Sequence, residues 1–163
     1  MQLYDKEEVE RINKAQETND KLEEFFDRKR EEWNKTMDPL YIALKENFTL
    51  DKSQKIIEIQ SLALSYRQMI NDQISYFLNR RAKEEVKLKK LKQDKFVFYA
   101  TGFGLKTNVG EKSLLIDAHI AENERNLQIV DVHVDYLRNS SKNLESLSYT
   151  VKNIIELMNY LGK

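Results

Sequence analysis

Apolar side chains recur at helical spacing along nearly the whole chain. Between residues 51 and 101 they fall at Ile56, Ile59, Leu62, Tyr66, Ile70, Ile74 and Phe77, then at Val86, Leu88 and Leu91. This three-and-four alternation marks one face of a helix. From near Ser113 to Leu161 the same counting gives Ile116, Ile120, Asn123, Leu127, Val130, Val134, Leu137, Ser141, Leu144, Ser148, Val151, Ile155 and Met158. So regular a series predicts a coiled-coil seam, with Leu147, Ile154 and Leu161 as a flanking stripe. A thinner stripe of Val9, Ile12, Leu22, Phe25, Phe26 and Trp33 runs from Lys6 to Lys35 and predicts a polar helix that docks rather than holding a core.

Helix breakers place the boundaries. The single proline, Pro39, follows Asp38, a good N-cap, so a short second helix is expected over Pro39 to Asn47. Asp51 can cap a third helix, which then meets no breaker until Gly102 and would extend roughly 70 Å. Gly102, Gly104 and Gly110 cluster in the connection to the last helix. Two segments of about fifty residues joined this way predict an antiparallel hairpin. The expected fold is all-α: an N-terminal helical extension of two helices over residues 1–50, then a long antiparallel helical hairpin with coiled-coil-like packing over 51–163, its tip at about 80–112. Residues 95–107, KFVFYATGFGLKT, also fit a short β-hairpin turning at Gly102. The stripes are too wide for two helices alone to bury, so a homo-oligomer is expected, with Val134, Leu137, Leu144, Val151, Ile155 and Met158 as oligomerisation contacts.

Charge changes this picture at the tip. The chain carries 27 basic and 27 acidic residues. Residues 80–112 nevertheless hold ten Lys/Arg against four acids, a net of +6, and the remainder is −6. Phe96, Phe98, Tyr99 and Phe103 lie in the same stretch. Lysines that neutralise phosphates beside rings on which bases stack are the two components of sequence-tolerant single-strand binding. The plainer alternative is a solvated lysine-rich face beside a small hydrophobic knot. An anionic membrane is a weaker alternative, because no interfacial apolar face accompanies the lysines.

Other chemistries find no candidates. There is no cysteine, which removes disulfides and thiolate chemistry and suits a reducing compartment. His119 and His133 have no metal-ligand spacing and read as ordinary surface or interface residues. The glycines at 102 and 104 are not part of a phosphate-binding loop, and the acid pairs near the N-terminus read as ion-pair partners. No catalytic residue, metal site or cofactor is expected, and the chain reads as a non-enzyme. The charged N-terminus lacks a signal peptide's apolar centre, and no apolar run suits a membrane span, so a cytoplasmic protein without a membrane partner is expected.

The run KLKKLKQDKFVFYATG at Lys87–Gly102, followed by Leu127-Gln128, Asp135-Tyr136, Val151–Ile154 and a closing Gly162-Lys163, resembles the UvsY-like recombination mediators of T-even-type bacteriophages. The resemblance covers roughly residues 75–163. It implies an oligomeric ring that binds single-stranded DNA, helps displace the single-strand-binding protein and loads a RecA-like recombinase in the bacterial host cytoplasm. By this resemblance Lys89, Lys90, Lys92 and Lys95 fall in the family's basic DNA-binding motif, and Tyr99 matches one aromatic of its pair. Lys87, Phe103 and Lys106 complete the expected DNA-binding set. One extra residue separates Tyr99 from Gly102, and Leu147 stands where the family has an arginine. The competing reading is a coiled-coil structural or assembly protein whose basic tip meets an acidic protein surface.

Overall fold

Three helices account for nearly all of residues 6–47, 52–101 and 109–161, which the computed structural model describes. They are α1 (Lys6–Glu46), α2 (Ser53–Thr101) and α3 (Val109–Leu161). No strand occurs among the described residues. The β-hairpin expected at 95–107 is therefore corrected for its first half, since α2 stays helical through Thr101. The lysine-rich turns before it let the helix continue through Phe96–Tyr99 despite their strand propensity. The remainder of that segment, and the Asp51 cap, lie outside the described residues.

The two expected N-terminal helices are one. α1 runs through Pro39 without interruption. Its buried positions explain why: Asn19, Phe26, Trp33 and Leu40 follow one another at seven-residue steps, and Met37 is buried beside them. A proline inside a helix costs about 3 kcal/mol through its missing donor and ring clash. Burying Met37 and Leu40 on either side returns about 1.5–3 kcal/mol each, so the helix persists. On the outer side Glu10/Lys14, Glu17/Lys21, Glu24/Arg28 and Glu31/Lys35 recur every seven residues, an i,i+4 order that favours helix even when the pairs stay solvated.

The chain divides into two compact units, each receiving a part of every helix. Unit 2 comprises Asp27–Phe77 and His133–Lys163. Its core is dense and apolar, drawing Trp33 and Leu40 from α1, Ile56, Ile59, Ala63, Ile70 and Phe77 from α2, and Val134, Leu137, Leu144, Leu147, Val151 and Ile154 from α3. Within it α2 and α3 pair antiparallel, with Asn71 accepting from Ser141 at 2.9 Å and Arg67 meeting Glu145 at 3.0 Å. Trp33 packs edge-on against Tyr66 and donates its indole N–H to Gln73 at 3.2 Å. His133, expected at a surface or interface, is instead fully buried, edge-on to Phe77 and stacked with Tyr136. The Tyr136 hydroxyl donates to the Arg30 carbonyl at 3.0 Å and lies 2.8 Å from the Asn34 side-chain amide.

Unit 1 comprises Met1–Phe26 and Leu78–Val132. Its apolar core is thinner: Phe26, Leu88, Ile116, Ile120, Ile129 and Val130. Polar links do more of the joining. Arg81 of α2 holds Asp131 of α3 at 2.5 Å, and Arg125 of α3 meets Asp20 and Glu23 of α1 at 2.8 and 3.1 Å. Here too α2 and α3 are antiparallel, as the Lys92–Glu124 pair and the Tyr99–His119 hydrogen bond require.

The heptad positions of α3 are largely buried, but within one chain. Val134, Leu137, Leu144 and Val151 are at most 1 % exposed, while Ile155 and Met158 are half-buried. The four buried side chains thus face their own chain's core. Other stripe positions also differ from expectation: Val9, Phe25, Leu62, Val86 and Leu161 are exposed, and Ala63 takes the core place beside Leu62 because its turn of α2 faces inward one residue later.

Candidate nucleic-acid interface

The basic stretch of α2 is helical throughout, so residue spacing decides which cations point together. Steps of three and four place Arg80, Lys83, Lys87 and Lys90 on one exposed stripe. Lys87 sits 2.8 Å from Glu84 but remains largely exposed; Lys83 and Lys90 make no ion pair among the described residues. The other expected lysines diverge from this stripe. Lys89 reaches back to Glu85 at 3.5 Å. Lys92 turns toward α3 and holds Glu124 at 2.8 Å. Lys95 is half-buried, its ammonium 5.9 Å from the Phe98 ring centroid, a cation–π distance. The motif that looks continuous in sequence is therefore split between solvent-facing cations, Lys89 among them on another face of α2, and a second group, which includes Lys92, that ties α2 to α3.

Arg81 belongs to the second group. It is clamped between Asp131 at 2.5 Å and Glu85 at 3.0 Å, and the Asp131 hydrogen bond raises its pKa further. Its role is structural.

Aromatic residues end the same helix. Phe96 and Phe98 are exposed, as is Val97 between them. Tyr99 is half-buried, with its ring 5.3 Å from Phe98, and its hydroxyl is hydrogen-bonded to His119 of α3. Phe103 and Lys106 lie outside the described residues. Between the end of α2 and the start of α3 lies an apolar cleft of about 720 Å³, lined by Phe96, Val97 and Ile116 with Asp94 and Asp117 among its polar residues. Its size suits a planar ring, and the two carboxylates would accept from amino or imino groups and repel phosphate.

Cations on α1 were not anticipated. Arg11 and Lys14 share a cleft with Arg80 in unit 1. Sequence alone offered little sign of them, because Arg11 and Lys14 sit among acids and meet Arg80 only through folding. Among the described residues no group of three His, Asp or Glu could hold a metal ion, and no helix is long and apolar enough to cross a membrane. No protein-family model matches the chain, and neither a curated protein nor a solved structure matches it.

Proposed function

We propose that the chain is an oligomeric, single-stranded DNA-binding recombination mediator that helps load a RecA-like recombinase onto DNA covered by single-strand-binding protein. It acts by binding, not catalysis, in the cytoplasm of a bacterial host. The observation that carries the reading is the exposed Arg80–Lys83–Lys87–Lys90 stripe, with the exposed ring of Phe98 further along the same face of α2. Phosphates would follow the cations while a base stacks on the ring. The reading includes one long antiparallel α2–α3 hairpin with coiled-coil-like packing, supported by the antiparallel pairs within each unit.

Homo-oligomer assembly in this reading needs a surface other than the α3 seam. Leu62, Met69 and Tyr76 supply one: all are exposed, and they recur every seven residues on α2. The same stripe favours the second reading, a coiled-coil assembly protein whose basic end docks on an acidic protein, because helix packing there needs no DNA.

A fluorescent oligothymidylate titrated at about 50–200 mM salt separates the two. Binding that weakens steeply with salt, and is lost on changing Lys83, Lys87 and Lys90 together to Gln with helicity unchanged, supports the mediator. An oligomer by native mass measurement that ignores the oligonucleotide supports the assembly protein.

A further inference from the structure

Unit 1 holds a polar cleft of about 410 Å³ to which all three helices contribute. α1 brings Arg11 and Lys14, α2 brings Arg80 and Glu84, and α3 brings Glu122 and Asn126. The charges do not cancel locally. Glu84 is taken by Lys87 at 2.8 Å. Glu122 accepts from the Asn19 amide at 2.9 Å and lies 3.8 Å from Arg125. Arg11, Lys14 and Arg80 make no ion pair among the described residues, and Glu10, one turn before Lys14, does not reach it. Both carboxylates of the cleft are thus engaged by groups other than these three cations, which outnumber them in one concavity. Like charges gathered this way raise the local potential and draw an anion.

The cleft does not stand alone. Arg11 also lines a neighbouring cleft of about 230 Å³ with Leu91, Lys95 and His119. Basic groups therefore continue from Arg80, past Arg11, toward the turn of α2 that carries Tyr99.

We propose that the Arg11–Lys14–Arg80 cleft is a phosphate seat for the backbone of single-stranded nucleic acid. The inference rests on the binding reading above and adds α1 to the interface, a helix outside the sequence resemblance. Two arginines give planar, multi-donor contacts to phosphate oxygens, and Lys14 adds a mobile point charge. The strand enters across the exposed stripe of α2 and is held where α1 and α2 face each other.

The test uses the full chain and two triple variants. One carries R11Q, K14Q and R80Q; the other carries K83Q, K87Q and K90Q. Oligothymidylate affinity is measured across about 50–200 mM salt, with helicity checked by circular dichroism. The cleft variant is expected to lose about tenfold or more in affinity and to flatten the log–log salt slope by about 2, since three single-strand phosphate contacts release about that many counterions. R11K with R80K, which keeps the charge, should restore most of the slope and guards against a folding defect. A cleft variant that binds like wild type, while the stripe variant does not, overturns the proposal. If the wild-type chain binds no oligonucleotide, the function proposed above fails and the nucleic-acid source fails with it. Tripolyphosphate then judges the phosphate chemistry separately. A thermal shift present in wild type and absent in the cleft variant supports a phosphate seat for a free polyanion; no shift overturns the seat altogether.

Discussion

Asn19 donates its side-chain amide to the backbone carbonyl of Glu122 at 2.7 Å and, through its other hydrogen, to the Glu122 carboxylate at 2.9 Å. Its own carbonyl accepts from Asn126 at 2.9 Å. A residue only 2 % exposed, at a heptad core position of α1, is thereby fully satisfied by α3. Such a buried asparagine fixes register at some cost to stability, since an apolar residue would pack there without needing partners. Asn19→Ala should destabilise the fold by about 1–3 kcal/mol by leaving Asn126 and Glu122 underbonded. Asn19→Leu should cost less but loosen the register of α1 on α3. Urea midpoints report the first effect, and amide hydrogen exchange in residues 9–26 reports the second. Equal stability and equal protection in both variants would dismiss the register role.

Leu144 is fully buried within a single chain. Leu144→Ala should therefore lower the stability of the subunit itself, by about 2–5 kcal/mol through lost burial and a residual cavity. The decisive measurement is the unfolding midpoint at several protein concentrations. If the α3 seam joined copies, the midpoint of the variant would move strongly with concentration. Packing within the chain predicts a loss that is the same at all concentrations.

That contrast marks what periodicity can and cannot reveal. The α3 stripe from Val130 to Val151 was legible because helical spacing reports that a face is buried. It does not report which surface covers it; within the chain α1 and α2 do so. α1 itself was underread because its core positions include Asn19, a polar residue whose burial depends on Glu122 and Asn126 more than a hundred positions away. The lysine motif was legible as composition but not as a surface: Lys92 finds Glu124 only after α2 and α3 pair. The Arg11–Lys14–Arg80 cleft was hidden for the same reason, since its members come from separate segments.

Pro39 lies exposed inside α1, where it cannot donate a hydrogen bond to the carbonyl of Lys35. Its flanking turns are held by the burial of Met37 and Leu40. Pro39→Ala should restore the missing donor and relieve the ring clash, stabilising the protein by about 1–3 kcal/mol. A rise in Tm with unchanged helix content is the expected result. A fall would mean that the backbone conformation fixed by the proline is needed to seat Leu40.

His133 gives the fold an acid limit. It is buried between Phe77 and Tyr136, and loss of hydration, reinforced by the positive charge of Arg30, lowers its pKa from 6.5 to about 4. The native chain therefore keeps His133 neutral down to about pH 4, whereas the unfolded chain protonates it near 6.5. Between those values the unfolded state binds the extra proton. The stabilising difference is fully present above 6.5 and is lost as pH falls toward 4, amounting to about 2–3 kcal/mol over the window. Acid also destabilises proteins through their carboxylates in general, so the measurement must be a difference. Urea midpoints of wild type and His133→Phe, taken at several pH values from neutral to about 4, should diverge as the solution becomes acid. The phenylalanine variant loses less stability because it has no proton to gain on unfolding. Curves that stay parallel throughout would show that His133 does not set the limit.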